Sequence, residues 1–345
     1  MKIYNYFILS TLLIIIVSCS DKTPDRFIMT VSGPVPVSEM GQWLSHEHVL
    51  VDWIGADSTG YHRWDKDSVI IRALPFLEEV RQLGVSSFSD CSPAFLGRDP
   101  VLLLNLSERS GIHILTNTGY YGAVDNRFIP GYAWEESAVD LARRWIYEFE
   151  NGIDGSGVKP GFVKIGVREQ GPLSDLHRKL ITAAALTHKE TGLPIKSHTG
   201  GDIPAFEQLE ILKSAGVSPA AFMWTHAQNG SLEKQIEAAS GGAWISLDGV
   251  NISSSGENKR GNLDWYVDRL SELRSAGVID QVLISHDAGW YDAGEINGGD
   301  YRGYSDIHRY LLPALRDNGF SDDDINKLVT DNPSRAFEIR VRLLN

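Results

Sequence analysis

The sequence predicts an α/β protein that folds as a single (β/α)8 barrel, or TIM barrel. Eight short runs rich in β-branched and aromatic residues alternate with amphipathic segments of helix length along most of the chain. Strands that alternate with helices form parallel sheets, and eight such units close a barrel. The runner-up is an open, doubly wound sheet. It is disfavoured because no Gly-rich dinucleotide fingerprint follows an early strand and no P-loop occurs.

The eight runs define the predicted strands in chain order. They are bounded by turn residues or helix stops, as at Gly192 and Pro194, which end the helical segment before the fifth strand. The predicted strands cover residues 42–49, 86–91, 113–119, 161–167, 193–198, 221–226, 243–249 and 281–287. Because no internal repeat or low-complexity linker divides the chain, residues 36–345 are predicted to form one domain.

Composition limits the partners and the metal ligands that this chain offers. With 32 Lys and Arg against 45 Asp and Glu, the formal net charge is -13, which disfavours nucleic acid and other polyanions as partners. The two cysteines, Cys19 and Cys91, are too few for a disulfide framework or a four-thiolate zinc site. A metal site would therefore need His, Asp, Glu or a rarer ligand.

The first nineteen residues resemble a bacterial lipoprotein signal. A basic residue precedes an apolar run, and the run ends in "IVSC", which is similar to the lipobox in which cleavage precedes a lipidated cysteine. We predict a signal peptide at residues 1–18, a tether and lead-in at 19–35, and anchoring to the membrane of a bacterial cell envelope through lipidated Cys19. The alternative is an ordinary signal peptide or membrane anchor with an incidental cysteine.

Polar residues that could act in catalysis stand at the ends of the predicted strands. His46 and His48 lie on one face of the first strand because side chains alternate along it, and Glu47 points the opposite way. Three further candidates end the fifth, sixth and eighth strands: His198, His226 and Asp287. The carboxyl ends of barrel strands meet at one rim, so these side chains should converge there. Each one alone also has a structural explanation, such as a rim histidine bonded to a carbonyl or an aspartate that caps a helix.

Lys164 is the least expected residue in these strands. It lies between Val163 and Ile165, in a strand that the barrel would bury, where an unpaired ammonium is costly. A neutral lysine amine can take up CO2 to form a carbamate, an anionic group whose two oxygens can bridge two cations. Lys164 is therefore a candidate bridging ligand.

This set resembles the binuclear metal centre of the phosphotriesterase-like family of the amidohydrolase superfamily. There an HxH pair on strand one, a carboxylated Lys on strand four, a His on each of strands five and six, and an Asp on strand eight hold two divalent ions. The matching residues here are His46, His48, Lys164, His198, His226 and Asp287. Three longer segments are also similar: "SDCSPAFLGRDPVLLLNLSERSGIHILTNTGYYG", "NGIDGSGVKPGFVKIG" and "LVTDNPSRAF".

The resemblance implies a hydrolase with two divalent ions per chain, in which a hydroxide and the Lys164 carbamate bridge the ions. The buried ion would be held by His46, His48 and Asp287, and the more exposed ion by His198 and His226. Zinc suits imidazole ligands best, with manganese, cobalt or iron as alternatives, and CO2 carboxylates Lys164. The hydroxide would attack the substrate and Asp287 would accept its proton, so Asp287 and Lys164 are the expected catalytic residues.

Two further residues are candidates to support these ligands. Asp90, at the end of strand two, would orient a ligand imidazole, or would serve in a turn or as an N-cap. His286 would relay the proton from Asp287, or would play a packing role beside it.

The substrate-binding residues are inferred from the same resemblance. In the lactonases of this family, a Tyr after strand three and an Arg after the Leu-Asp of strand seven line the pocket. Tyr121 matches the Tyr, but Gly249 replaces the Arg, which we interpret as open space at the rim beside a polar loop at residues 251–258. Trp290, in the Gly-rich loop after strand eight, would face the substrate or pack the loop.

The leading hypothesis is hydrolysis of a lactone or other carboxylic ester, with polar lactones preferred. The alternatives are a phosphotriesterase or phosphoester hydrolase and, in a different class, a ligand-binding surface lipoprotein whose metals are structural. The resemblance is also compatible with a homodimer.

Overall fold

The computed structural model describes residue 1, residues 25–253 and residues 262–344. Residues 2–24 lie outside the described residues; they include Cys19, residues 2–18 of the predicted signal peptide and residues 19–24 of the predicted tether and lead-in. The strands within the described residues are β1 (Phe27–Thr30), β2 (Gly33–Pro36), β3 (Gln42–Val51), β4 (Val85–Asp90), β5 (His113–Leu115), β6 (Asn117–Thr118), β7 (Phe162–Gly166), β8 (Ile195–His198), β9 (Phe222–Thr225), β10 (Trp244–Leu247), β11 (Val282–Ile284) and β12 (Gly289–Asp292).

The helices follow the strands in the expected alternation. Several start at an aspartate, serine or asparagine whose side chain accepts a backbone N–H of the first turn, as Ser137 does for the fourth helix. The helices are α1 (Lys66–Gln82), α2 (Pro100–Ser110), α3 (Tyr132–Glu135), α4 (Ala138–Asn151), α5 (Asp175–Thr191), α6 (Asp202–Ser214), α7 (Leu232–Ser240), α8 (Leu263–Ser275), α9 (Leu312–Asp317), α10 (Asp322–Asn326) and α11 (Asn332–Phe337). None of the helices in the described ranges is long and apolar enough to span a bilayer.

The parallel strands form the predicted barrel. One sheet runs from β6 to β11 with each strand beside the next, and a second contains β3, β4 and β5. β5 and β6 are two halves of one barrel strand, separated at Thr116, so this strand joins the two sheets. Across the remaining seam, Asp287 N–H donates to His46 O at 3.0 Å and His48 N–H donates to Ala288 O at 2.8 Å. The (β/α)8 fold is thereby confirmed.

The eighth barrel strand is shorter than predicted and is followed by an extra strand. β11 ends at Ile284, and β12 then pairs in parallel with β3. This pairing brings Gly289, at φ +100°, against the backbone of His48, where a Cβ would lie 1.7 Å from His48 O. Only glycine permits such an approach, and sequence patterning alone did not identify the second short strand.

The amino ends of the barrel strands are closed by apolar side chains. Trp43 stacks on Phe337 with ring centroids 5.1 Å apart, and Phe162 meets Phe337 edge-on at 5.4 Å. Ile28, in the β1–β2 hairpin, belongs to the same buried cluster, so the predicted lead-in is part of the folded unit from residue 27 onward. This apolar cluster closes the amino ends of the strands, so the carboxyl ends are free to carry polar groups.

Candidate metal centre

Four imidazoles and one carboxylate converge at the carboxyl end of the barrel. His46 and His48 project from β3 and are buried, as the alternation along the strand predicted. His198 ends β8, while His226 follows β9 and Asp287 follows β11, each in a tight turn. His226 has φ +60° and Asp287 has φ +53°, and such left-handed backbone costs free energy in residues other than glycine. The surrounding fold therefore holds these two side chains in place.

The ring nitrogens and carboxylate oxygens lie close enough to share ions. Asp287 Oδ1 lies 3.1 Å from His48 Nε2 and 3.6 Å from His46 Nε2. Ligand atoms of these three residues all lie within 4.8 Å of one another. On the other side, His226 Nε2 lies 2.8 Å from His198 Nδ1. The five side chains thus form two neighbouring groups of potential ligand atoms.

Hydrogen bonds set the tautomers of three of these imidazoles. Asp248 accepts from His46 Nδ1 at 3.0 Å and from His226 Nδ1 at 2.7 Å. Ser92 Oγ donates to Leu50 O, so it must accept from His48 Nδ1 at 2.9 Å. In all three rings the Nε2 lone pair is consequently left for a ligand in the centre.

This arrangement fits a cation between His48 and Asp287. The Nε2 atom of His48 carries no proton, and Asp287 Oδ1 makes no hydrogen bond within the described residues. Two lone pairs therefore face each other at 3.1 Å, which is repulsive unless a positive ion lies between them. Imidazole and carboxylate donors of this kind suit zinc and similar divalent ions.

Burial favours the neutral, metal-binding form in three of the four histidines. It lowers the pKa of His46 well below its usual value, with the Lys164 charge acting in the same direction. Burial likewise lowers the pKa of His48, and, with the neighbouring His226, lowers the pKa of His198 to about 4. Burial would also lower the pKa of His226, but the carboxylate of Asp248 outweighs it and raises that pKa.

Lys164 lies in β7 below the imidazoles and is 2% exposed. No hydrogen bond links its Nζ to another residue in the described part of the chain, and burial lowers the pKa of its amine. A depressed pKa favours the neutral amine that reacts with CO2. The position and surroundings of Lys164 therefore fit a carboxylated lysine.

Comparison with known proteins identifies the family to which this centre belongs. A model of the phosphotriesterase family matches residues 27–337, which is most of the chain. The chain belongs to the phosphotriesterase family. Its members are hydrolases that depend on a binuclear metal centre, and this chain is accordingly an enzyme of that class.

Curated relatives within the family differ in the activities their names state. The chain is 29% identical to the phosphotriesterase homology protein of Escherichia coli strain K12, over 86% of this chain and 98% of that protein. It is 28% identical to the aryldialkylphosphatase of Saccharolobus solfataricus, over 90% and 99%. It is 23% identical to the human N-acetyltaurine hydrolase, over 89% and 97%.

Solved structures of the family share the fold. The Escherichia coli phosphotriesterase homology protein, solved with phosphate in its active site, superposes with a TM-score of 0.73 at 26% identity, covering 86% of this chain and 99% of that one. The organophosphorus hydrolase of Deinococcus radiodurans superposes with a TM-score of 0.79 at 24% identity, covering 90% and 96%.

Asp90 makes no direct hydrogen bond to a ligand imidazole within the described residues, so its suggested orienting role stays a prediction. Its carboxylate accepts the backbone N–H groups of Val49 and Ser92, and burial raises its pKa to about 7. It therefore shapes the turn that carries Ser92, which was the alternative interpretation. Ser92 and Asp248 are the residues that contact the imidazoles directly.

His286 is held away from the carboxylate of Asp287. Its Nδ1 donates to Glu47 Oε1 at 2.6 Å, and its Nε2 accepts the N–H of Ile307 at 3.0 Å. Because both nitrogens are engaged in this way, the geometry favours packing over proton relay. Glu47, which lies between His46 and His48 and points the opposite way, also accepts from Ser285 Oγ and Ala288 N–H. It therefore links the first barrel strand to the segment that follows the last one.

Arg302 also supports the end of the eighth strand. Its guanidinium donates to the backbone oxygens of Val250, His286 and Asp287 at 3.0, 2.5 and 2.8 Å. These bonds fix the turn that presents the Asp287 carboxylate. No motif marked this residue in the sequence, because its contacts are all with backbone atoms of other segments.

The three predicted substrate residues have different surroundings. Tyr121 lies beside the centre, with its hydroxyl 3.2 Å from His198 Nδ1. The indole of Trp290 stacks on His48 at 4.0 Å and its Nε1 donates to Asp287 O at 2.7 Å, so it packs against the ligands while remaining partly exposed. Trp290 thus combines the two roles that the sequence left open.

The open space predicted at Gly249 is filled. A Cβ at this position would lie 2.9 Å from Gln228 Nε2, and the Gly249 N–H donates to Tyr266 Oη at 2.8 Å. An arginine would not fit there without displacing Gln228. In the loop that follows, Ser253 bonds to Asp306, and residues 254–258 lie outside the described residues.

Asp248→Asn should lower the affinity for divalent ions about 10- to 100-fold, because it weakens the contacts that orient two ligands at once. Isothermal titration of the metal-free protein with zinc measures this change. Asp99→Asn removes an equally buried carboxylate that caps α2, so it should lower stability without affecting metal affinity. Equal metal affinities for the two variants would contradict an orienting role for Asp248.

Proposed function

We propose that this enzyme hydrolyses a lactone or other carboxylic ester, with His46, His48, Lys164, His198, His226 and Asp287 holding two divalent ions, most simply zinc. Such ions acidify water and polarise the bond that is cleaved. Asp287 is then the proton acceptor. Burial raises the pKa of a carboxyl group, but the neighbouring His48, His46 and His226 outweigh it and lower the pKa of Asp287, so the carboxylate is ionised at neutral pH.

The observation that carries the substrate class is a closed circuit of rings around the centre. From His48 it passes through Trp290, Trp53, Phe128 and Tyr121 to His198, with centroid separations of 4.0, 5.5, 5.8, 6.0 and 5.0 Å. His226 and His46 complete it at 4.4, 5.2 and 5.5 Å. The histidine half of the circuit would bind ions. In the other half Phe128 is fully buried, whereas Trp53 and Trp290 are partly exposed and offer aromatic surface to an apolar or flat substrate group.

Tyr121 supplies a hydrogen-bond donor where these halves meet. Burial raises the pKa of its phenol, so the hydroxyl stays protonated at neutral pH. It can therefore donate to an oxygen of a substrate that lies beside His198. An ester or lactone carries such oxygens next to the bond that breaks.

A carboxylate at the rim disfavours anionic substrates. Glu169 Oε1 lies 3.7 Å from His198 Nε2, and its side chain is largely exposed. It would repel a substrate with a sulfonate, such as the N-acetyltaurine named for the human relative. Neutral esters are not affected by this charge.

A phosphotriester is the second candidate, because the relative from Saccharolobus solfataricus is named an aryldialkylphosphatase. The test is kcat/KM of one zinc- or manganese-loaded preparation for lactones, aryl esters and paraoxon-like triesters. A tenfold or larger preference for triesters, about 1.4 kcal/mol, would contradict the ester proposal. If none of these substrates were turned over in a metal-dependent way, a ligand-binding surface lipoprotein with structural metals would be favoured instead.

Trp53→Ala should lower kcat/KM for a phenyl ester about tenfold, and for the matching methyl ester much less, because an aromatic contact beyond simple burial contributes roughly 0.5–1.5 kcal/mol. Trp134→Ala is the matched control, since this indole is 53% exposed on α3. If Trp53→Ala lowered kcat/KM for the phenyl and methyl esters equally, the aromatic half of the circuit would not contact the leaving group.

A further inference from the structure

We propose that the opposite, amino-end face of the barrel binds the phosphate of an anionic phospholipid headgroup. This face contains a cavity of about 670 Å³, separate from the metal centre. Trp244, the first residue of β10, lines the cavity, whereas Asp248 at the metal centre follows the last residue of that strand. Four arginines also line it: Arg26, Arg335, Arg340 and Arg342.

The charge around this cavity is opposite to that of the whole protein. The chain carries a formal charge of -13, yet four guanidinium groups surround the cavity with one lining carboxylate, Glu338. Glu338 pairs with Arg26 at 2.8 Å. The nearby carboxylate of Asp280 pairs with Lys327, while Arg335 donates to the backbone oxygen of Asp280 and lies over the Trp244 ring, 5.3 Å from its centroid. The remaining positive charge is free to bind an anion.

The arginines are presented by a C-terminal segment that is fixed to the barrel. Its backbone N–H groups at Ile339, Arg340 and Leu344 donate to Phe27 O, Gly192 O and Gly216 O, each at 3.0 Å. The N–H of Arg342 donates to His188 Nε2 at 2.8 Å, because the other ring nitrogen of that histidine donates to a carbonyl. The site is thus preorganised, so little conformational entropy is lost on binding.

The cavity also brings Arg340 and Arg342 close to each other, with Glu338 as the one lining carboxylate near both. Burial and the neighbouring Arg340 lower the pKa of Arg342 to about 10, although Glu338 acts in the opposite direction. Arg342 uses its own donors on backbone oxygens, including those of Arg335 and Glu338. Arg26, Arg335 and Arg340 are exposed, but Arg26 is paired with Glu338. Arg335 and Arg340 form no ion pair with a carboxylate within the described residues, so they remain available to a ligand.

A membrane surface fits this face better than a soluble phosphate does. Val341, Leu343 and Leu344 beside the arginines are 43%, 49% and 46% exposed, and a bilayer interface accepts both basic and apolar side chains. Arg26 follows Cys19 by seven residues, which span at most about 25 Å. If Cys19 carries lipid, as we also propose, the amino-end face lies at the bilayer and the metal centre opens away from it.

The test is co-sedimentation of residues 20–345 with vesicles. This chain lacks the lipid but retains every described element, since the first begins at Phe27. It should bind phosphatidylglycerol-containing vesicles and not pure phosphatidylcholine vesicles. Arg335→Glu with Arg340→Glu should weaken binding about thirtyfold or more, since each basic residue near an anionic surface contributes about 1 kcal/mol.

Arg109→Glu with Arg143→Glu changes the net charge equally on other faces and should bind almost as the parent does. Unchanged circular dichroism and esterase activity in both pairs separate this test from the proposed catalytic function. Equal binding of the parent protein to the two vesicle types would overturn the proposal. An equal loss of vesicle binding in the two double variants would do the same. So would arginine-dependent binding of inorganic phosphate without binding to vesicles, because the site would then serve a soluble anion.

Discussion

Lys164→Ala should remove most of the bound metal and lower kcat/KM about 1,000-fold or more. The substitution deletes the one bridging ligand that we assign to a protein side chain, and bound metal supplies several kcal/mol of transition-state stabilisation. Metal content by mass spectrometry and ester turnover measure the two effects. Short carboxylic acids such as acetate should restore part of both, because they can replace the two oxygens of the carbamate.

Lys196→Ala is the matched control for this prediction. Lys196 pairs with Lys164 in the β7–β8 register, is fully buried, and its Nζ has no hydrogen-bond partner within the described residues. Both variants lose a buried amine and leave a similar cavity. Carboxylic acids should rescue only Lys164→Ala. Full metal content and turnover in Lys164→Ala would show that Lys164 is not a bridging ligand.

Asp287→Asn should lower kcat by about 100- to 10,000-fold while retaining part of the metal. Asparagine keeps an oxygen that can bind an ion, but it cannot accept a proton, and general-base catalysis contributes a factor of this size. Steady-state kinetics together with metal analysis separate the loss of the base from loss of the ion.

Asp292→Asn, in the strand after the same turn, provides the comparison. Its carboxylate caps the N–H of Gly294 and does not contact the imidazoles, so its kcat should stay near that of the parent. If Asp287→Asn kept kcat within about threefold of the parent, Asp287 would not be the proton acceptor.

The ligand positions could be predicted from the sequence because they obey a simple geometric rule. Residues at the carboxyl ends of parallel strands meet at one rim, and alternation places His46 and His48 on the same face. The same rule could not predict the supporting contacts. Asp90 ends a buried strand and Asp248 follows one, and only the turn geometry decides that Asp248 reaches two imidazoles.

The surroundings of the substrate-binding residues were harder to predict because they depend on packing between loops. The space that Gly249 leaves is filled by Gln228, which comes from the preceding strand-to-helix connection. Trp290 reaches His48 because Gly289 lets β12 approach β3. Sequence spacing specifies neither contact. The closed circuit of rings therefore became visible only in three dimensions, and it favours apolar or flat esters over the polar lactones first expected.

We propose that six side chains of one rim hold two divalent ions. Anomalous diffraction from crystals of the zinc-loaded enzyme, recorded on both sides of the zinc absorption edge, tests it directly. We expect two zinc peaks per chain, one among His46, His48 and Asp287 and one beside His198 and His226, with continuous density from Lys164 to both. A single peak, or two peaks with an unmodified Lys164 that touches neither, would contradict it.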